Sequence, residues 1–192
     1  MKASVIRAGK VVLRPKRLED AQDDYDWRCD EELASLDAAS PLRQEFSQFV
    51  RIYEDELRFP SPWSVRYGID TLDGKHIGNC MCYEINSTRG EAELGIMIGN
   101  RDYWSQSYGY HAIVGLVDHL FQDDELRRLY LHTLDWNVRA QRSFKKCGFS
   151  PVRAVHRFGR EMVLMDLTRD YWWEMRDEKL APLRQAEAMA SS

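Results

Sequence analysis

The chain contains little that would cross-link it or hold it in a membrane. Its 192 residues include only 4 cysteines, too few for a disulfide scaffold in a chain of this size. No apolar run approaches the ~20 residues that a membrane helix needs. The segment Met1–Ser4 has none of the apolar core of a signal peptide. We therefore expect a cytoplasmic protein without a membrane partner.

Neither sign of charge dominates the composition. The formal net charge of −4 at pH 7 argues against nucleic acid as a non-specific partner. Hydrophobic residues make up 44% of the chain, enough to bury one full core. Cys80 and Cys82 lie two apart on a predicted strand, whereas paired zinc ligands usually show a C-x2-C or longer spacing. We expect these cysteines to be buried thiols and the protein to bind no metal.

Hydrophobic patterning predicts an α+β chain in which most strands are antiparallel. The predicted strands cover 11–14, 64–70, 76–85, 91–98, 129–134, 152–158 and 162–167. Helices are expected at 18–36, from an N-cap at Ser40 to Pro60, at 108–122, at 137–147 and after Thr168. We assign 1–168 to one domain and 169–192 to a helical extension. The Trp172-Trp173 pair indicates either packing on that domain or a dimer contact, so both a monomer and a homodimer stay open.

The segment from Trp104 to Ala112 joins a strand to the start of a helix. The alternating run 92–99 precedes it, and a helical run follows from Ile113. The first turn of a helix carries unpaired N–H groups and the positive end of the helix dipole. A glycine at that point, here Gly109, lets the backbone approach a phosphate closely. The segment therefore predicts a pyrophosphate-binding loop.

Two motifs in this order resemble the GNAT superfamily of acetyl-CoA-dependent N-acetyltransferases. The family's first signature, Arg or Gln, two residues, Gly, one residue, then Gly or Ala, is matched by 104–109, with Trp104 and Ser107 as departures. Its second signature corresponds to Asn137 and the run Lys146-Cys147-Gly148-Phe149. The resemblance covers roughly 11–167. It implies an acyl-CoA N-acyltransferase fold, with a twisted sheet of about six to seven strands flanked by helices, and acetyl-CoA as co-substrate.

The resemblance also implies which residues bind the cofactor. In the family, the strand before the phosphate loop diverges from the next strand, here 129–134, and binds the pantetheine arm through its backbone. Gly95 fits a bulge in that strand, whereas a plain strand interior would need only apolar residues. The cofactor-binding residues expected on this basis are Ile96, Met97, Ile98, Trp104, Ser105, Gln106, Ser107, Tyr108, Gly109, Asn137, Phe144 and Lys146. The side chains of Gln106 and Ser107 are expected to add donors.

Glu93 is the candidate general base. It stands in an otherwise apolar strand, where a carboxylate is costly unless it is partnered or functional. Partial burial would raise its pKa towards neutrality, which suits a base that acts directly or through water. Several related acetyltransferases use a Glu at the matching position. The alternative is that Glu93 faces solvent.

Asn137 is the second residue to which the resemblance gives a catalytic role, near the pantetheine and the leaving thiol. An Asn at this point also caps a helix, and both functions are compatible. Many family members have a Tyr at the position of Phe144, where it protonates the departing thiolate. Phe144 has no proton to give. Either release needs no protein acid, since a thiol's pKa is ~8.5, or another residue such as Ser143 or Tyr108 substitutes.

The acceptor expected from the resemblance is a primary amine. The opening Leu13-Arg14-Pro15, followed by an acidic helix, is similar to the branch of ribosomal-protein alanine and spermidine N-acetyltransferases. A peptide N-terminus and a small amine such as a polyamine both stay open. The acidic helix indicates either an attractive lip for cations or a solvated face. Two other functions are open: a non-catalytic acyl-CoA-binding regulator, and a nucleotide-binding module, although the chain lacks a P-loop.

Overall fold

One eight-stranded sheet organises the part of the chain that the computed structural model describes, residues 4–190. The strand order is β1-β2-β3-β4-β5-β6-β8-β7, and only the β5–β6 pair is parallel. Residues 1–3 and 191–192, at the outer ends of the predicted domain and extension, lie outside the described residues. The strands are β1 Ile6–Ala8, β2 Val11–Pro15, β3 Val65–Thr71, β4 His76–Asn86, β5 Glu91–Ile98, β6 Arg128–Leu134, β7 Ser150–Arg157 and β8 Arg160–Thr168.

Six α-helices accompany the sheet in residues 4–190. They are α1 Ala21–Cys29, α2 Glu31–Leu36, α3 Phe46–Arg58, α4 Tyr108–Leu120, α5 Val138–Lys146 and α6 Arg169–Ala190. The expected α+β class with a C-terminal helix is confirmed, with β1 as a strand that the patterning missed. No helix between residues 4 and 190 is both long and apolar enough to cross a membrane.

The predicted first two helices were wrong in detail. The predicted helix over 18–36 is interrupted at Asp30, whose backbone is extended and whose side chain accepts from the Leu33 N–H at 2.9 Å. Asp30 therefore ends α1 and caps α2, since an aspartate oxygen can satisfy a free N–H of a first turn. The next helix begins at Phe46 behind Glu45 rather than at Ser40, so Ser40-Pro41 lies in a connection.

The main hydrophobic core lies between the sheet and α4. Alternation along β5 and β6 directs Leu94 and Leu131 to the same face, where they line a small cavity with Ile113 and Leu116 of α4. Helix α4 is buried along most of its length because it packs against β1, β2 and β5 and also contacts α5 and α6. The core thus fixes the position of the N-terminus of α4 relative to β5.

A buried ion cluster connects the opposite face of the sheet to α1. Its members are Arg14, Lys16, Asp20, Asp24, Asp70 and His76. Arg14 pairs with Asp20 at 2.6 Å and Asp70 at 2.7 Å, and Lys16 pairs with Asp24 at 2.7 Å. Asp20 and Asp24 therefore point inward, and the expected acidic face or lip is wrong for these two residues. Two further acidic residues, Asp30 and Glu32, both form ion pairs with Arg101.

The C-terminal helix packs on the rest of the chain. Trp172 of α6 is fully buried, and its indole N–H donates to Asp118 of α4 at 3.2 Å. Arg176 binds the same carboxylate through two nitrogens. Trp173 instead is partly exposed and stacks with Arg176. Packing on the domain therefore accounts for Trp172, while a dimer contact stays a prediction for the exposed face.

Candidate active site

Strands β5 and β6 pair at one end and separate at the other. Their parallel register covers only Glu91–Glu93 with Arg128–Tyr130, although β5 continues to Ile98 and β6 to Leu134. The remaining edges therefore diverge inside the sheet, as the resemblance implied. A small apolar cavity lies in this opening, with Leu94, Gly95 and Ile96 on one side and Leu131 and Phe144 on the other.

The backbone of β5 offers alternate residues to the opening. The Ile98 carbonyl accepts from the indole N–H of Trp104 at 2.6 Å, whereas the Met97 carbonyl lies against Gly78 of the neighbouring β4. Because backbone groups two residues apart point to the same side of a strand, those of Ile96 also face the opening. Gly95 pairs regularly with Met81, and the bulge of this strand pair lies between Tyr83 and Asn86 instead, so the expected bulge at Gly95 is wrong.

The loop before α4 turns through two serines with left-handed backbone. Ser105 has φ of 59° and Ser107 has φ of 69°. Ser107 is the N-cap of α4, and its side chain makes no capping hydrogen bond. The N–H groups of the first turn, which begins at Tyr108, have no acceptors within the helix. This backbone is the expected donor set for an anion.

The side chains of the loop are turned to neighbours within the chain. The Gln106 amide donates to the Asp102 carbonyl, which occupies one of its two N–H groups, and its contact with a phosphate stays a prediction. The Tyr108 ring packs edge-on against Tyr103 at 5.0 Å. Lys10, which the sequence did not indicate, donates to the Gln106 carbonyl at 3.2 Å and lies over the Tyr108 ring. A cation therefore lies beside the backbone that is expected to bind an anion.

Gly109 has room for a Cβ. A Cβ at this position would have Ile98 Cγ1 as its nearest neighbour, at 3.7 Å, an ordinary contact distance. The fold itself therefore does not require glycine at this position. A glycine here leaves room next to the first-turn N–H groups, which fits close approach of a phosphate.

The second motif lies across the opening, on α5. Asn137 is buried at the N-cap of α5, where its side chain accepts from the Ala140 N–H at 3.1 Å. Phe144 is half-buried in the wall of the cavity and packs edge-on against Phe149 at 6.3 Å. Lys146 is exposed at the last turn. The capping function of Asn137 is thus established, while the cofactor contacts of all three stay predictions.

Trp104 connects the two sides of the opening. Its ring lies under the guanidinium of Arg139 at 4.2 Å and that of Arg101 at 5.5 Å. Arg139 belongs to α5, whereas Arg101 precedes the loop. The departure of Trp104 from the family's Arg or Gln therefore has a structural use, because the indole contacts β5 and α5 together.

Glu93 lies on the face of β5 opposite the core and is only 2% exposed. The Arg157 Nη1 donates to both its carboxylate oxygens, at 2.9 and 2.8 Å, and His132 Nδ1 lies 2.8 Å from Oε1. The Tyr83 hydroxyl is a further donor to this carboxylate. The alternative that Glu93 faces solvent is therefore wrong.

The pKa of Glu93 is lowered, not raised as we expected. Burial alone raises it, but the donors Arg157, Tyr83 and His132 together outweigh burial because they stabilise the ionised form. The same carboxylate raises the pKa of the Tyr83 hydroxyl, after burial itself. Glu93 is consequently an ionised carboxylate at neutral pH.

Three residues around Glu93 were missed at the sequence level. Tyr83 stands opposite it on β4, His132 lies on β6, and Arg157 ends β7. Alternation along β6 does place His132 on the same face as Tyr130, which pairs with Glu93. Within residues 4–190 no group of three or more His, Cys, Asp or Glu is arranged to hold a metal ion.

A family model for the acetyltransferase (GNAT) domain matches residues 10–150. The chain belongs to the GNAT family of acetyltransferases. The divergence of β5 and β6 and the left-handed loop before α4 both lie within the matched range. The α6 helix lies beyond the matched range.

Solved structures agree with this GNAT fold. Spermidine N-acetyltransferase from Vibrio cholerae in complex with CoA and spermine superposes with a TM-score of 0.76 at 20% identity, covering 85% of this chain and 98% of that one. An aminoglycoside acetyltransferase in complex with coenzyme A gives 0.73 at 21%, covering 86% and 99%. A GNAT-family acetyltransferase from Bacillus anthracis gives 0.73 at 11%, covering 87% and 99%.

Proposed function

We propose that this GNAT enzyme transfers the acetyl group of acetyl-CoA to a primary amine by direct attack, with Glu93 receiving the amine's proton. The observation that carries the proposal is the position of Glu93. Its pair with Tyr130 is the last one before β5 and β6 separate, so a buried carboxylate stands at the apex of the cofactor opening.

The residues around the opening suit acetyl-CoA. The backbone of Ile96, and of Ile98 beyond the Trp104 contact, would hold the pantetheine arm, and the backbone of 105–109 would hold the pyrophosphate. Phe144 gives the arm an apolar wall, and Asn137 and Lys146 lie on the α5 side. When bound, acetyl-CoA supplies an activated thioester of acetate.

Glu93 has two tasks in this proposal. An amine with a pKa of ~8–10 arrives mostly as an ammonium ion, and an ionised carboxylate attracts it. The same carboxylate accepts the proton, directly or through water, before the nitrogen attacks. Because its pKa is lowered, Glu93 is ionised and attracts the ammonium ion, but the same low pKa makes it a weaker base for accepting the proton.

The acceptor class is proposed as a small amine, such as a polyamine, or a protein N-terminus. The likeness to a spermidine acetyltransferase solved with spermine and to an aminoglycoside acetyltransferase supports cationic amines. Thermal unfolding with acetyl-CoA, CoA and ATP is the first test. A ligand at about 100 times its Kd adds about 2.7 kcal/mol, which raises Tm by roughly 5–10 °C in a domain of this size.

Thiol release from acetyl-CoA with a panel of primary amines then tests the reaction. We expect Glu93→Gln to lower kcat by about 100-fold or more, in the range of general base catalysis. Glu91→Gln is the matched control, since it changes a carboxylate on the same strand and face that pairs with Arg128 and Arg89. Binding of CoA with no thiol release for any amine would favour the non-catalytic regulator. Phe144 is consistent with that alternative because it cannot protonate a leaving thiolate. Stabilisation by ATP alone would favour a nucleotide-binding module.

A further inference from the structure

The C-terminal helix α6 packs against the first turn of α4. The Tyr110 hydroxyl, on that turn, donates to the Lys179 carbonyl of α6 at 2.9 Å. About two turns further along α6, Glu187 accepts from the Gly9 N–H at 2.8 Å. Both α6 residues lie beyond residue 150, where the match to the GNAT model ends. A helix outside the matched range therefore supports the end of α4 that is expected to bind phosphate.

The turn between β1 and β2, formed by Gly9 and Lys10, is held between α4 and α6. The Lys10 N–H donates to His111 Nδ1 of α4 at 3.1 Å, and His111 is only 3% exposed. Gly9 has a φ of 58°, and a Cβ there would collide with the His111 ring and lie 3.0 Å from Leu183 Cα of α6. Burial and the charge of Lys10 lower the pKa of His111. The ring is therefore neutral at pH 7, and Nδ1 stays an acceptor.

This turn presents the Lys10 side chain to the loop before α4. The Lys10 ammonium donates to the Gln106 carbonyl at 3.2 Å and lies 5.5 Å from the centre of the Tyr108 ring. Gln106 and Tyr108 flank Ser107, the N-cap of α4. An ammonium has three N–H groups, and the Gln106 carbonyl takes one of them. Two N–H groups are left for an anion that binds at the first turn of α4.

We propose that Lys10 is a ligand of the cofactor's pyrophosphate, and that α6 positions Lys10 by holding the turn between β1 and β2. The inference rests on the proposed binding of the pyrophosphate by the backbone of 105–109. A cation beside the first-turn N–H groups adds a charge-assisted hydrogen bond to the attraction of the helix dipole. The C-terminal helix thereby increases the affinity for the cofactor without touching it.

Glu187 distinguishes positioning from a plain effect of charge. A carboxylate near a phosphate site repels an anionic ligand, so its removal should tighten CoA binding if charge alone mattered. Glu187 accepts from Gly9, the residue before Lys10. If this contact holds the turn in place, removal of the carboxylate should weaken CoA binding instead. The two roles of Glu187 therefore predict changes of opposite sign.

Calorimetric titration of the full chain with CoA tests the role of Lys10. We expect Lys10→Gln to raise the Kd of CoA about tenfold, for the loss of one hydrogen bond to a charged group. Dephospho-CoA, which keeps the pyrophosphate, should show the same loss, and pantetheine, which lacks it, should show none. Lys10→Arg keeps the cation and should retain most of the affinity. Lys179→Gln is the matched control, since it removes the same charge but keeps the carbonyl that accepts from Tyr110.

Glu187→Ala tests the positioning by α6. We expect it to raise the Kd of CoA severalfold, against the sign that charge predicts. In the background of Lys10→Gln it should add nothing, because both changes remove the same ligand contact and are therefore not additive. Glu178→Ala is the matched control, since it removes a carboxylate of the same helix that pairs with the adjacent Lys179. Its Kd for CoA should equal that of the unsubstituted chain.

The outcomes separate this inference from the proposed function. Unchanged CoA affinity in Lys10→Gln, or a loss confined to CoA and absent with dephospho-CoA, would overturn Lys10 as a pyrophosphate ligand. Tighter CoA binding in Glu187→Ala, or a fully additive loss in the double variant, would overturn the positioning by α6. The expected losses without thiol release for any amine would support the inference and overturn acetyl transfer. No CoA binding by the unsubstituted chain would overturn both.

Discussion

The indole N–H of Trp104 donates to the carbonyl of Ile98 at 2.6 Å, and so connects the loop before α4 to β5, the strand that borders the proposed cofactor opening. The same ring stacks on Arg139 of α5 at 4.2 Å. The Trp104 side chain therefore connects its own loop to both β5 and α5. Its removal should affect cofactor binding and stability together.

We expect Trp104→Phe to cost about 1 kcal/mol of unfolding free energy, the net value of one hydrogen bond, and to weaken CoA binding severalfold because the loop loses its attachment. Urea unfolding and CoA titration measure the two effects. Trp173→Phe is the control, since Trp173 also stacks on an arginine but lies on α6. An equal loss of CoA affinity in both variants would contradict the special position of Trp104.

Ser107→Gly should stabilise the protein by about 1 kcal/mol. A left-handed backbone costs a residue with a Cβ roughly 1–2 kcal/mol, and glycine avoids this cost but loses more entropy on folding. Ser107 has φ of 69° and makes no capping bond that would be lost. Ser35→Gly, inside α2, should instead destabilise by about 0.5 kcal/mol. Thermal unfolding of the two variants should show Tm shifts of opposite sign.

Substitutions at Gly109 should affect cofactor affinity more than stability. Gly109→Ala should leave both nearly unchanged, since a Cβ here makes only an ordinary contact with Ile98. Gly109→Leu should weaken CoA binding more than tenfold with a smaller effect on Tm, because a large side chain beside the first-turn N–H groups keeps a phosphate away. Gly115→Ala provides the contrast: its Cβ would lie 2.3 Å from the Ala8 Cβ. That variant should lose stability, typically about 1–3 kcal/mol for overpacking. If Gly109→Leu unfolds at a much lower temperature, the space argument is wrong.

Asp24 should make the stability of the fold fall in acid. Burial raises its pKa, but His76, Lys16 and Asn79 outweigh burial and hold the pKa well below its ordinary value. A carboxyl with a lowered folded-state pKa contributes stability above its unfolded value of ~3.9 and loses it as the pH falls further. We expect Asp24→Asn to cost about 3–5 kcal/mol at pH 7, as for a broken buried pair, and to flatten the loss of stability below about pH 4.

Unfolding of both proteins from pH 3 to pH 7 checks this dependence. Asp26→Asn is the matched control, because Asp26 lies on the same helix but is exposed and accepts from Gln22. Its curve should follow that of the unsubstituted chain. An Asp24→Asn curve parallel to that of the unsubstituted chain down to pH 3 would show that another group carries the acid sensitivity.

Local sequence signals predicted most of the fold because they act over a few residues. The alternating run that forms β5 and the helical run from Ile113 that forms α4 each depend only on their own neighbourhood. Local signals also gave wrong predictions for the starts of α2 and α3. Asp30 competed as a cap inside an apparently continuous helix, and Ser40-Pro41 matched a start signal that the chain does not use.

The environment of Glu93 was less predictable. Its strand position indicated a functional carboxylate, but its pKa direction depends on Arg157, 64 residues away, and on His132, 39 residues away. No local pattern predicts that Glu93, His132 and Arg157 come together, because their proximity follows from the order of β5, β6, β8 and β7 in the sheet. The same limit hid the inward orientation of Asp24, since its partners His76 and Asn79 lie on β4, 52 and 55 residues further along the chain.

The brief pairing of β5 with β6 divides the sheet into two halves. Strands β1–β5 form one antiparallel block and β6–β8 another, and the blocks share a ladder only from Glu91 to Glu93. Native-state hydrogen exchange should accordingly resolve two cooperative units with different opening free energies. A molecule that bridges the diverging edges would merge them into one. Bound acetyl-CoA would then join the two halves of the sheet into one cooperative unit, so the co-substrate would also be part of what holds the fold together.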